Sequence, residues 1–167
     1  MIRYFKEIAG QLTEYLKDRK GKTWFADEGW LPYAGTKSID WLHIADNVVV
    51  EYTEEEHDAI QQTKQEASET AFYAGLYDGN PDLKQRVREY KALLESVGLE
   101  PTANITAVTD FVNNSTLSDA EKIALVMQIT GLYNNGIVYN LSHSGIMDAV
   151  SFGYDNMDKL IQYLPEV

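Results

Sequence analysis

Residues 118–132 read SDAEKIALVMQITGL, and the reading of this stretch decides what the rest of the chain packs around. Ser118 followed three residues later by Glu121 forms a capping box, in which each side chain accepts from the other residue's backbone N–H at a helix start. Ile123, Ala124, Val126, Met127 and Ile129 then recur at helical spacing, with Leu125 and Leu132 filling the flank. Apolar residues on nearly every face predict a helix surrounded by protein, because an exposed amphipathic helix keeps a polar side. The run is shorter than the roughly 20 apolar residues a bilayer span needs. The expected fold is mainly α (α+β at most), with five to seven helices around a buried core helix at 118–132. A small β element is expected near 48–52.

The totals suit that picture. The chain has 167 residues, enough for a single domain over 1–167 whose core needs no metal or disulfide staple. Two sub-regions are legible within it, a mixed part over 1–79 that turns acidic from 45, and a helical part over 80–167. The absence of cysteine removes disulfides, thiol nucleophiles and thiolate metal sites together. No signal-peptide pattern or membrane-spanning run occurs, so a cytoplasmic protein is expected.

Charge gives the first functional clue. The net charge is −12, which disfavours direct binding to nucleic acid or anionic lipid. Residues 1–44 hold seven Lys/Arg against six Asp/Glu, whereas 45–79 hold Lys64 alone against nine acids. Thr53-Glu54-Glu55-Glu56 opens a helix that runs to about Tyr77, with Thr53 and Glu56 closing a second capping box. Along it Glu55, Asp58, Gln62, Glu66 and Glu69 recur at steps of three and four, an acidic stripe about 21 Å long. Ile60, Thr63, Ala67, Ala71 and Ala74 form a small-residue face open to a neighbouring helix. Asn80-Pro81 then starts an antiparallel helix with a stripe of Leu83, Val87, Tyr90, Leu94 and Val97. Its basic row of Lys84, Arg88 and Lys91 stands ready to neutralise part of the acid.

The other segments are read in the same way. Phe5, Ile8, Leu12, Tyr15 and Leu16 predict an amphipathic helix over 2–19, with Lys17, Arg19, Lys20 and Lys22 at its negative end and Gly21 as the stop. Trp24, Trp30 and Trp41 lie in a segment punctuated by Gly29, Pro32 and Gly35; they either pin a long loop as a satellite core or offer an aromatic contact surface. Asn47–Tyr52 is the best strand, with Trp24–Phe25 or Ile137–Tyr139 as partner. Asn134-Asn135-Gly136 marks the end of the core helix, and Ser144 caps a helical segment reaching Phe152.

No motif carries catalytic chemistry. Asp78, Asn80, Asp82 and Glu89 match positions of a calcium loop, but Leu83 stands where its glycine is needed, and a turn plus cap explains them. His57 reads as a solvated histidine in an acidic helix, and nothing in the spacing of His43, His57 and His143 asks for a metal. Ser142-His143-Ser144 lacks the nucleophile elbow. No cofactor is expected.

The leading functional expectation is a non-catalytic acidic interaction or inhibitor protein. Glu54, Glu55, Asp58, Glu66 and Glu69 would dock on a basic protein surface, such as that of a nucleic-acid-binding protein. In size and charge, though in no motif, the chain is similar to small acidic phage and plasmid inhibitors that mimic nucleic acid. The alternatives are an assembly component using Trp24, Trp30 and Trp41, and a small His-dependent hydrolase or metalloenzyme.

Overall fold

The computed structural model describes residues 2–15, 22–100 and 105–166. It is mainly α with small antiparallel sheets, and its residues cluster into two compact units, Met1–Glu66 and Ala67–Val167. The boundary falls inside one long helix.

The first unit is built from two hairpins. Strands β1 (Arg3–Ile8) and β2 (Gln11–Glu14) pair with Ile8 opposite Gln11, and β3 (Leu31–Tyr33) flanks β1 on its other side. The expected helix over 2–19 is therefore wrong for residues 3–14. Its apolar residues keep a helical spacing of three and four, which Ala9 and Gly10 overrule. Both have positive φ, +52° and +78°, which makes the two-residue turn whose twist matches paired strands. Leu16, the cations Lys17, Arg19 and Lys20, and the Gly21 stop lie outside the described residues.

Helix α1 (Lys22–Asp27) separates β2 from β3. A 3-10 turn (Ile39–Trp41) then leads into β4 (Leu42–Ala45), which pairs with β5 (Val48–Glu51). The strand read at 47–52 is present, but neither expected partner serves it: Trp24–Phe25 is helical, and so is Ile137–Tyr139. Asp46 and Asn47, again both at positive φ, make the turn between β4 and β5. Phe5, Tyr33, Leu42 and Val49 form this unit's core, with Leu12, Leu31 and Ile44 packed around them. Complete burial of Phe5 contributes roughly 2–3 kcal/mol.

Helix α2 (Glu54–Gly79) crosses into the second unit. The expected small-residue face does not carry its packing: Thr63, Ala67, Ala71 and Ala74 are exposed, and Tyr73, Leu76 and Tyr77 are buried instead. Helix α3 (Pro81–Ser96) starts as read, with Asn80 accepting from Leu83 N at 3.0 Å, and buries Leu83, Val87, Tyr90 and Leu94. Helix α4 (Ile105–Asn114) contributes Val108 and Val112 to the same core.

Helix α5 (Asp119–Gly131) has the capping box, with Ser118 N donating to Glu121 Oε2 at 2.8 Å. It is not surrounded by protein. Leu125 and Ile129 are buried, whereas Ile123, Ala124, Val126 and Met127 are exposed, so only one of its apolar faces meets the unit's core. Nor does it stop at Asn134-Asn135-Gly136. The rod continues through a π-helical segment (Leu132–Val138) into Tyr139–His143. Gly136 permits this, because the Arg86 side chain lies 3.1–3.3 Å from where a Cβ would stand.

Two short helices close the chain, α6 (Ala149–Asp155) and α7 (Met157–Gln162). Asp148, not Ser144, caps α6, by accepting from Ser151 N at 3.1 Å. Counting α5 as one rod, the described residues hold seven helices besides the 3-10 turn. None of them is long and apolar enough to cross a membrane.

Candidate functional site

The acidic helix face is set up by the turn into α2. Tyr52 N donates to Trp41 O at 2.8 Å, which ends the β4–β5 hairpin and delivers the chain to Thr53. There Thr53 N donates to Glu56 Oε2 at 2.9 Å and Glu56 N donates to Thr53 Oγ1 at 3.3 Å, the capping box read from the sequence. The backbone and hydroxyl of Thr53 hold the Glu56 carboxyl below its ordinary pKa.

His57 pins the first turn of α2 to the body of its unit. It is not the solvated histidine expected: it is only 8% exposed. Its ring lies on the Trp41 indole with centroids 3.7 Å apart and planes 6° from parallel. Nε2 stands 3.3 Å from Asp40 Oδ2 and 3.2 Å from the Gln61 amide nitrogen. Nδ1 is buried without a hydrogen bond; Asp58 Oδ1, at 3.6 Å, is an electrostatic neighbour only. The Asp40 carboxyl is held below its ordinary pKa, first by the Ser38 hydroxyl and then by His57.

Lys37 Nζ sits 3.9 Å from the Trp41 ring centroid. Two groups so near the centroid cannot share one face, so Trp41 is covered by His57 on one side and Lys37 on the other. Trp24 and Trp30 are both half-buried against Tyr15, at 5.5 and 5.3 Å between ring centroids, and Phe25 stacks on Tyr4 at 3.8 Å.

With α2 anchored through His57, Glu54, Glu55, Asp58 and Glu66 are exposed along about 18 Å of helix. Lys64 falls on the opposite side of the helix from this row. Gln62 donates to Glu66 Oε1 at 2.9 Å, a bond within the row. Glu69 behaves differently. It lies one turn before Tyr73 on the face that enters the second unit's core, and Lys159 Nζ reaches its Oε1 at 2.8 Å. The Tyr163 hydroxyl stands 3.5 Å from the other oxygen. In the basic row of α3, Arg88 donates to Pro165 O at 2.8 Å and Lys91 pairs with Glu95 at 3.8 Å.

His43 stacks on Tyr52 at 4.2 Å, and His143 Nδ1 lies 2.9 Å from Tyr139 O. Among the described residues no group of three His, Cys, Asp or Glu has the geometry to hold a metal ion. Sequence reasoning missed Asp40 as the partner of His57 and Lys37 as the cover of Trp41, because no local spacing links residues 37–41 to His57. No family model, curated protein or solved structure shows significant similarity to the chain.

Proposed function

We propose that the protein is a non-catalytic interaction module whose α2 face docks on a basic protein surface. The observation that carries the reading is the exposed row of Glu54, Glu55, Asp58 and Glu66 on a helix pinned in place by the His57–Trp41 stack. Pre-positioned like charges raise the rate of encounter with an oppositely charged patch and fix its orientation, more than they deepen affinity. Glu69 belongs to the edge of the row, since Lys159 already engages it. Imitation of a nucleic-acid backbone is the finer form of the proposal. One row of carboxylates suits a single phosphate strand better than a duplex, which presents two.

Competition tests it. A basic DNA-binding domain on a fluorescently labelled strand is titrated with the protein at about 150 mM salt, near physiological screening. The wild-type chain displaces the strand, and the variant with Glu54, Glu55, Asp58 and Glu66 changed to Gln does not. Equal displacement by both, or by neither, overturns the reading.

A further inference from the structure

Helix α5 carries two apolar faces, and the second unit's core covers only one. On the uncovered side Ile123 is 62% exposed, Val126 43% and Met127 70%. With Thr130 they fall within an arc of about 100°. The arc runs into a groove of about 460 Å³ lined by Val126, Met127, Thr130, Gly131, Asn134 and Asn135. The residues of the face from Ile123 onward carry no charge. From Ile123 to Met147 the chain has no Asp, Glu, Lys or Arg, although such residues make up 24% of the whole. A partner chosen by charge would find nothing to pair with along these residues.

We infer that this face is a self-association surface, on which two copies of the chain pack their α5 helices antiparallel about a twofold axis at Met127. The face complements itself in that register. Ile123 precedes Met127 by four residues and Gly131 follows it by four, so each exposed Ile123 enters the groove beside Gly131 of the other copy. A Cβ on Gly131 would meet nothing within 4 Å, which leaves that space open to a visiting side chain. Asp119, at the edge of the face, comes opposite the uncharged Asn135, whose amide can donate to it. A twofold contact between identical patches is the commonest mode of assembly.

The exposed apolar area is on the order of 300 Å², at the lower end of the largest apolar patch a typical monomer carries, a patch that is often functional. A standard interface buries about 800 Å² per partner, so the dimer is weak and forms at micromolar concentration or above. The two copies repel through their net charge of −12 each, so added salt strengthens the dimer. Docking through the acidic face of α2 has the opposite salt dependence, which separates the two proposals.

Sedimentation equilibrium of the full chain, from about 5 to about 500 µM at low and high salt, reads the association directly. A dimer is expected that tightens with salt and weakens at least about tenfold in Ile123→Glu. The chain has no cysteine, so Met127→Cys introduces a single thiol that cross-links to its own copy across the twofold axis. Gln128→Cys, also exposed but on another face, is the control. A monomer at every concentration overturns the inference. So does a dimer untouched by Ile123→Glu, or Met127→Cys cross-linking no faster than Gln128→Cys. Circular dichroism establishes that each variant is folded, and the cysteine pair decides the matter if Ile123→Glu is not.

Discussion

His57 lies flat against Trp41, with ring centroids 3.7 Å apart, and this contact ties the first turn of the acidic helix to the hairpin that precedes it. Truncation of His57 to Ala uncovers one indole face and strands Asp40. It is expected to cost roughly 1–3 kcal/mol, the range for losing a buried ring. His57→Phe gives up the Asp40 and Gln61 contacts as Ala does but keeps the stack, so it should lose less, by the worth of the ring contact. Urea unfolding followed by tryptophan fluorescence gives the two values; an Ala variant as stable as the Phe variant would show that the stack holds nothing.

Arg3 and Glu14 join β1 to β2 through two parallel bonds, Nε to Oε1 at 2.7 Å and Nη2 to Oε2 at 2.8 Å. The Arg3 guanidinium holds the Glu14 carboxyl below its ordinary pKa. Unfolded, Glu14 takes up its proton at a higher pH than when folded. Its contribution is therefore complete above the ordinary carboxylate pKa and disappears as pH falls through the lower folded value. Glu14→Gln should cost about 1 kcal/mol at pH 7, and the gap to wild type should close on acidification. Denaturation midpoints of both proteins between pH 7 and pH 3 measure this, and a gap that widens towards acid contradicts it.

Gly35 and Gly131 predict opposite signs for one substitution. A Cβ on Gly35 would overlap the Tyr33 hydroxyl and crowd Glu51 Oε1, the two groups joined by a 2.5 Å hydrogen bond. Gly35→Ala should break that bond and destabilise the first unit by roughly 1–3 kcal/mol. Gly131 has helical φ and ψ of −63° and −47°, with open space around it. Gly131→Ala should therefore stabilise the helix by about 0.8–1 kcal/mol. Thermal melts of dilute samples, where self-association plays no part, compare the two directly.

The sequence was most legible where short-range chemistry decides. The boxes at Thr53–Glu56 and Ser118–Glu121 and the cap at Asn80 are all in place, because each depends on residues three apart. The first hairpin was hidden because Phe5, Ile8 and Leu12 keep a helical spacing although Phe5 is buried and Ile8, three residues on, is exposed on the other face of the strand. Ala9-Gly10 and Asp46-Asn47, pairs able to hold positive φ, are the signals that mark the turns. All-round apolarity in α5 predicts complete burial, whereas it records two separate faces. Of the candidate site, the exposure of Glu54, Glu55, Asp58 and Glu66 follows from helical spacing. The pairing of Glu69 does not, since Lys159 lies 90 residues away and only packing brings it near.

Backbone amide chemical shifts read docking at the α2 face residue by residue. The 15N-labelled chain is titrated with a twenty-residue oligolysine peptide at about 150 mM salt, where diffuse surface attraction is largely screened. Perturbations are expected to concentrate on residues 54–66, and to vanish when Glu54, Glu55, Asp58 and Glu66 are changed to Gln. Shifts spread evenly over the acids of both units, or persisting unchanged in that variant, would contradict it.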